Sequence, residues 1–224
     1  MKKLFVLIAA ACMTCTAAFA QTVKPFKEGE RAVFLGNSIT DGGHYHSYIW
    51  LYYMTRFPDM PIRVFNGGIG GDTAYDMNKR LDGDIFAMKP SVLMVTFGMN
   101  DSGYFEYNGD KPKEFGEQKY QESVKNYQQM EKRFKDLPDT RIVMVGTSPY
   151  DETVQLKENT PFKTKNETIK RLVEYQQESA AKNNWEFTDL NAPMTAINQQ
   201  YQQKDPTFTL CGSDRIHPDN DGHM

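Results

Sequence analysis

The chain of 224 residues has few cysteines, no excess of positive charge and, beyond its first twenty residues, no long uninterrupted apolar run. Three cysteines exclude a disulfide-rich scaffold and a zinc site made of four cysteines. Lys and Arg total 26 against 29 Asp and Glu, so bulk charge gives no reason to expect nucleic-acid binding. What remains is a chain with 39% hydrophobic residues, typical of a globular domain that folds without a disulfide or metal framework.

The first twenty residues have the pattern of a secretory signal peptide. Lys2 and Lys3 precede an apolar run, and small residues lead to an Ala-Phe-Ala cleavage site that ends at Ala20. The alternatives are a transmembrane anchor and a lipoprotein modified at Cys12 or Cys15. Because the uncharged stretch is short and ends in small residues, cleavage is favoured over a stable membrane span. We therefore expect export to the periplasm or out of the cell.

Cleavage leaves residues 21–224 as one domain, in which Cys211 is the only thiol. No disulfide can then form within the chain. The chemistry described below needs no thiol, so we expect Cys211 to be buried and inert.

Strand and helix patterns alternate along this domain. Buried strands are predicted at 31–36, 62–66, 91–97, 141–146 and 185–190. Helices are predicted at 44–57, 73–81 with Asp72 as cap, 118–137, 164–183 and 192–204. Such alternation predicts an α/β fold, a three-layer α/β/α sandwich around a mostly parallel five-stranded sheet. In these folds chemistry collects beyond the carboxyl ends of the strands.

The first and last candidate motifs supply a nucleophile and a base. Gly-Asn-Ser-Ile-Thr at positions 36–40 follows the first strand and exposes Ser38 after a sharp turn. Asp-Arg-Ile-His-Pro at positions 214–218 places an Asp three residues before a His. Asp214 can then reach Nδ1 of His217 and leave Nε2 free as a general base toward a serine. The alternatives are a helix cap at Ser38 and a surface pair between Asp214 and Arg215.

The two middle motifs supply hydrogen-bond donors for an anion. Four glycines lie within positions 67–71, after the second strand, which indicates a close backbone approach or positive φ angles. This loop matches neither the dinucleotide fingerprint nor the P-loop pattern, and a plain strand-to-helix turn is the alternative. Gly-Met-Asn-Asp at positions 98–101 follows the third strand, where the Asn100 amide could donate to an oxyanion or form an Asx turn.

Together, these four motifs make the chain resemble the SGNH (GDSL-like) hydrolase superfamily, including secreted bacterial carbohydrate esterases. The resemblance runs from Arg31 to Met224 and implies a flavodoxin-like fold. It implies Ser38 as nucleophile, His217 as general base and acid, and Asp214 as the residue that orients the histidine. It also implies an oxyanion hole made of the N–H groups of Ser38 and Gly71 and the side chain of Asn100.

The chain departs from the family pattern at two places. Asn37 stands where the name-giving motif usually has Asp, and its carbonyl oxygen is expected to hold the turn while activity survives. The sequence stops seven residues after His217, where family members normally continue into a helix. We therefore expect the domain to be truncated before its C-terminal helix.

The chemistry implied is ester hydrolysis, with no metal or organic cofactor. His44 and His46 offer two ligands without a third, which is weak evidence for zinc, so they are expected on the cleft rim or the surface. Substrate contacts are expected from a further set of polar and aromatic residues near the motifs: Asn37, His44, Asp72, Tyr104 and Tyr107.

The most favoured substrate is an O-acetyl ester on carbohydrate, because the chain has an export pattern, acidic charge and no lipase-like apolar lid. Two alternatives stay open. One is a lipase or thioesterase acting on lipid esters, and the other is a non-catalytic glycan-binding or accessory module. Oligomeric state is not indicated by the sequence.

Overall fold

A computed structural model describes residues 21–224, so the predicted signal peptide and both lipoprotein cysteines lie outside the described residues. Within the described residues, six parallel strands form one sheet in the order β1-β6-β5-β4-β2-β3. The strands are β1 (Gln21–Thr22), β2 (Arg31–Gly36), β3 (Arg63–Gly68), β4 (Val92–Val95), β5 (Arg141–Gly146) and β6 (Glu186–Asp189). Strands β2 to β6 are the five predicted ones, and their order is that of a flavodoxin-like sheet.

In the part of the chain that the structure describes, seven α-helices connect or follow these strands. They are α1 (Ser38–Asp41), α2 (His44–Arg56), α3 (Ala74–Arg80), α4 (Pro112–Lys135), α5 (Lys165–Lys182), α6 (Asn191–Gln202) and α7 (Asn220–His223). A short π-helical turn (Leu81–Ile85) and two 3₁₀ turns (Phe86–Met88 and Phe105–Asn108) complete the regular structure. Within residues 21–224, none of the helices has the length and apolarity that crossing a membrane requires.

The core follows from the period-two alternation of side chains along the strands. Leu93 and Val95 of β4 pack on one face of the sheet, against α3, α4 and α5. Val92 and Met94 face the other side, where Tyr45 of α2 joins the cluster. All four β4 side chains are buried, because the strand lies between β2 and β5 and is covered on both faces.

Two predicted helix starts were wrong. Helix α3 is capped by Thr73 rather than Asp72, because the Asp76 carboxylate accepts from the backbone N–H and hydroxyl of Thr73. Helix α4 begins at Pro112, six residues before the predicted start, since proline suits the first turn of a helix.

Candidate active site

The candidate residues meet where the strand order reverses. The chain runs from β2 outward to β3 and then returns to the other side of β2 to form β4. Loops that leave the carboxyl ends of β2 and β4 therefore diverge and leave a crevice, the usual ligand site of open α/β sheets. Ser38 follows β2, and Asn100 follows β4.

Ser38 is the first residue of α1 and is half-buried. The turn before it is held by Asn37, whose Oδ1 accepts from the Ile39 N–H at 3.1 Å. The side-chain carbonyl oxygen of Asn37 thus holds the turn, as expected for an Asn that stands in place of Asp. The Asn37 residue is only 1% exposed, and its contact with substrate stays a prediction.

His217 connects Ser38 with Asp214. Its Nε2 lies 2.7 Å from Ser38 Oγ, and its Nδ1 lies 2.6 Å from Asp214 Oδ2. An ionised carboxylate only accepts hydrogen bonds, so Nδ1 carries the proton and Nε2 of the neutral ring accepts from Ser38. The geometry therefore gives a continuous hydrogen-bond chain from the carboxylate to the hydroxyl.

Asp214 and His217 shift each other's pKa through the hydrogen bond between them. Partial burial alone would raise the pKa of Asp214, but hydrogen bonds from the His217 ring and from the backbone N–H groups of Ile216 and His217 lower it to about 2. The hydrogen bond to Asp214 raises the pKa of His217, although its own partial burial opposes the shift. Asp214 thus stays ionised near neutral pH, and His217 is more basic than an isolated imidazole.

Arg215 points away from Asp214. Its side chain is 1% exposed, and its guanidinium donates to the carbonyls of Asp151, Val154 and Asn159. The alternative of an Asp214–Arg215 surface pair was therefore wrong. Instead, Arg215 binds the segment after β5 and so holds in position the loop that carries Asp214 and His217.

The glycine-rich loop after β3 lies beside Ser38. A Cβ placed on Gly70 would be 4.0 Å from the Cβ of Ser38. Gly71 is exposed and has a φ of +86°, in the left-handed region that favours glycine. The turn is closed by a hydrogen bond from the Asp72 N–H to the carbonyl of Ile69. The loop thus approaches the nucleophile candidate closely, as the glycines indicated.

Asn100 reaches across to the same turn. Its Nδ2 donates to the Asp72 carbonyl at 2.9 Å, and its Oδ1 accepts from the Tyr104 hydroxyl at 2.5 Å. One of the two Nδ2 hydrogens is used in this way, and the other remains for a ligand.

The side chain of Asp72 makes a structural contact with Arg80. It is mostly buried, and its Oδ2 accepts from Arg80 Nε at 2.6 Å. The same guanidinium donates to the carbonyls of Gly36 and Gly67, at the ends of β2 and β3. Asp72 thus helps to hold two strand ends together, and its substrate contact stays a prediction.

Two more predicted positions are buried. Tyr107 is 2% exposed, and its hydroxyl donates to the Ser102 carbonyl and lies 2.9 Å from Thr168 Oγ1; its substrate contact stays a prediction. His46 is 5% exposed, with Nε2 at 3.1 Å from the Thr40 carbonyl, so it lies neither on the cleft rim nor on the surface. His44 is exposed and stacks on His223 at 4.8 Å. Its substrate role stays a prediction.

The sequence predicts no chemical role for the Cys211 thiol or for a bound metal ion. Cys211 is buried, its Sγ contacts the Pro149 carbonyl at 3.6 Å, and burial raises the pKa of its thiol to about 12. A thiol in that state is a poor nucleophile. Throughout residues 21–224, no cluster of three or more His, Cys, Asp or Glu is arranged to hold a metal ion.

A sequence profile of the GDSL-like lipase/acylhydrolase family matches residues 34–224. The chain belongs to the GDSL-like lipase/acylhydrolase family. The resemblance to SGNH (GDSL-like) hydrolases is thereby confirmed, and the α/β sandwich around a parallel sheet is the fold predicted from it.

Individual members of the family are similar over most of this chain. An acetylxylan esterase of Geobacillus stearothermophilus is 26% identical over 212 residues, which are 88% of this chain and 90% of the relative. A solved structure of an acetylxylan esterase from that organism has a TM-score of 0.67 at 24% identity. The match covers 88% of this chain and 90% of the chain in that structure. Further structures of the esterase are named as catalytic mutants, with alanine in place of a serine, an aspartate or a histidine.

A solved gut microbial diltiazem-metabolizing enzyme is 84% identical, with a TM-score of 0.90 over 91% of this chain. This chain spans about half of that protein, 46% of its length.

Proposed function

We propose that this chain is a serine esterase that hydrolyses small acyl esters, above all O-acetyl esters, with Ser38, His217 and Asp214 as its catalytic triad. The observation that carries the proposal is the hydrogen-bond chain of 2.7 Å and 2.6 Å that joins the three side chains. This arrangement lets one imidazole both accept and return a proton next to a hydroxyl nucleophile.

In the proposed reaction, Ser38 Oγ attacks the ester carbonyl while His217 Nε2 takes the hydroxyl proton. The tetrahedral intermediate collapses, and the leaving alkoxide receives that proton from His217. A water molecule then gives its proton to His217 and attacks the acyl-enzyme. Collapse releases the carboxylic acid, and His217 returns its proton to Ser38 Oγ, which restores the free enzyme. Asp214 stabilises the imidazolium form in both halves of the reaction.

The negative oxygen of each intermediate is proposed to rest on three donors. They are the backbone N–H groups of Ser38 and Gly71 and the free Nδ2 hydrogen of Asn100. The close approach of the glycine loop to Ser38 and the contact of Asn100 with that loop support this assignment. Fixed donors of this kind stabilise developing charge without reorganisation.

Two relatives support an acetyl substrate. One is named as an acetylxylan esterase and the other as a diltiazem-metabolizing enzyme. Diltiazem carries an O-acetyl ester, so removal of an acetyl group is one reaction that would fit both names. Residues 1–20 have the pattern of a signal peptide, so we further propose that the substrates are met outside the cytoplasm.

The test compares the protein with its Ser38→Ala variant on p-nitrophenyl acetate, acetylated xylan and diltiazem, with acetate release as the readout. We expect the variant to lose at least about a thousandfold in rate while its circular dichroism and melting temperature stay unchanged. Ser38 is half-buried, and its hydroxyl bonds to His217, so its removal leaves no cavity in the core.

Ser47→Ala is the matched control, because Ser47 is an exposed serine in the first turn of α2. It should keep the wild-type rate. Retention of the rate by Ser38→Ala would refute the triad. Clear preference for decanoyl over acetyl esters would favour the lipase or thioesterase alternative. Absence of fluorophosphonate labelling at Ser38 would favour a non-catalytic binding module.

A further inference from the structure

The side-chain amide of Asn100 is held at both ends. An asparagine amide can rotate by half a turn and exchange its oxygen and nitrogen, which would replace a donor with an acceptor. Here the Asp72 carbonyl can only accept, and it takes a hydrogen from Nδ2 at 2.9 Å. The Tyr104 hydroxyl donates to Oδ1 at 2.5 Å. Both contacts select the same orientation of the amide.

The Tyr104 ring is itself fixed from two sides. The ammonium nitrogen of Lys165 lies 3.9 Å from the ring centroid, within the range of a cation–π interaction. The ring of Phe162 meets it edge-on, with centroids 5.9 Å apart and planes at 70°. These contacts restrict the ring, so the hydroxyl is held close to Asn100.

Lys165 also orders the backbone around Asn100. The side chain is fully buried, and Nζ donates to the carbonyls of Met99 and Gly103 and to the hydroxyl of Ser102. An ammonium group has three hydrogens, and three acceptors lie around it. All three acceptors belong to residues 99–103, so one buried group fixes the segment that contains Asn100.

The protonation state of Tyr104 supports its role as a donor, whereas Lys165 lies close to its protonation midpoint near neutral pH. Burial raises the pKa of Tyr104, and the nearby charges of Asp101 and Asp214 raise it further, so its hydroxyl keeps its proton at working pH. Burial lowers the pKa of Lys165 to about 7, and the opposite charges of Asp101 and Glu152 resist that shift.

We propose that Tyr104 is a positioning residue, whose hydroxyl orients the Asn100 amide so that an Nδ2 hydrogen faces the reacting acyl oxygen. This inference rests on the proposed esterase function and adds to it a residue that does not touch the substrate. It also replaces the earlier expectation that Tyr104 contacts the substrate directly.

The test is Tyr104→Phe, which removes the hydroxyl and keeps the ring over Lys165. Loss of an oxyanion donor slows catalysis by about a hundredfold or more, and loss of its orientation should cost part of this, about tenfold in kcat. The KM for p-nitrophenyl acetate should change by less than about twofold, because the hydroxyl does not bind the ground state. Tyr127→Phe is the matched control, since it removes a buried hydroxyl that bonds to Ser179 in the core.

A double-mutant cycle separates positioning from general destabilisation. In the Asn100→Ala background, Tyr104→Phe should change kcat by less than about twofold, because the amide that it orients is gone. An unchanged kcat in Tyr104→Phe alone would overturn the proposal. So would a tenfold loss that persists in the Asn100→Ala background, or an equal loss in Tyr127→Phe.

Failure of this inference is distinguishable from failure of the proposed function. If Ser38→Ala and Asn100→Ala are strongly impaired while Tyr104→Phe is not, only the positioning role is wrong. If Ser38→Ala keeps its activity, the esterase assignment itself falls.

Discussion

At the scale of single residues, the charge of Asp214 raises the pKa of His217, the proposed general base. The Asp214 carboxylate raises the pKa of His217 above that of an isolated imidazole. Only the unprotonated Nε2 can take the Ser38 proton, so kcat/KM should fall as the pH drops through this raised pKa. The Asp214 carboxyl, with a pKa of about 2, stays ionised throughout that range.

Asp214→Asn tests this dependence. Without the negative charge, the His217 ring loses the interaction that favours its protonated form, so its pKa should fall. An NMR titration of the His217 ring protons measures this directly. The rate should also drop by roughly ten-thousandfold, because the amide no longer selects the productive tautomer.

Asp219→Asn is the control for Asp214→Asn. Asp219 is an exposed carboxylate two residues after His217, and it caps α7 by accepting from the Gly222 N–H. Its replacement should leave the midpoint of the His217 titration unchanged. An Asp214→Asn variant whose His217 titrates at the wild-type midpoint would contradict the assigned cause of the shift.

Some of the residues at the candidate site could be predicted from the sequence, and others could not. Ser38 and Asn100 stood out because each follows a predicted strand in a short motif, and His217 stood out because Asp214 precedes it by three residues. The roles of Lys165 and Arg215 were missed, because a buried cation has no local sequence signal. Its partners are carbonyl groups that lie far away along the chain, and only the fold brings them together.

At the scale of elements, the end of β3 lies against the helix that carries Ser38. A Cβ placed on Gly68 would be 2.3 Å from the backbone N of Asp41 and 2.7 Å from the carbonyl carbon of Thr40. These are main-chain atoms of α1, which cannot rotate aside. The glycine therefore permits a contact on which the position of Ser38 depends.

Gly68→Ala should consequently displace α1 and with it Ser38. We expect a loss of about 1–3 kcal/mol in the free energy of unfolding, measured by urea denaturation, because the extra methyl overpacks a main-chain contact. The rate on p-nitrophenyl acetate should fall by about a hundredfold, since small misplacements of reacting groups have large effects.

Gly83→Ala is the control for Gly68→Ala, because a Cβ at Gly83 would meet no atom within 4 Å. It should keep both stability and rate. If Gly68→Ala behaved like this control, the close packing of β3 on α1 would not be needed to place Ser38.

Element boundaries were harder to predict than the elements themselves. The start of α3 carried a usable signal, since Thr73 and Asp76 have the spacing of a capping box. Pro112 was a similar signal for α4, but the polar residues after it weakened the helical pattern. Strands β2, β4 and β5 were predicted well because their almost continuous burial leaves apolar runs that depend little on context.

At the scale of the whole molecule, the two faces of the sheet are covered unequally. One face is covered by α3, α4 and α5. The other has α2 and α6, and a groove of about 600 Å³ separates these helices. It is lined mainly by apolar and tyrosine side chains, including Tyr52 and Ile197, which are 54% and 39% exposed.

This asymmetry predicts that the folded protein binds 8-anilinonaphthalene-1-sulfonate, a dye that fluoresces on contact with apolar surface. Most monomeric proteins expose only small apolar patches and bind the dye weakly when folded. A variant with Tyr52→Lys and Ile197→Lys places charges on both walls of the groove. Its dye fluorescence should fall to about half of the wild-type value or less.

Tyr75→Lys is the matched control, because Tyr75 is 50% exposed on α3, outside the groove. It should leave the fluorescence unchanged. Near-ultraviolet circular dichroism must be the same in all three proteins, since a loosened core would also bind the dye. Equal fluorescence in the wild type and the double variant would mean that the groove is not the apolar surface that the dye meets.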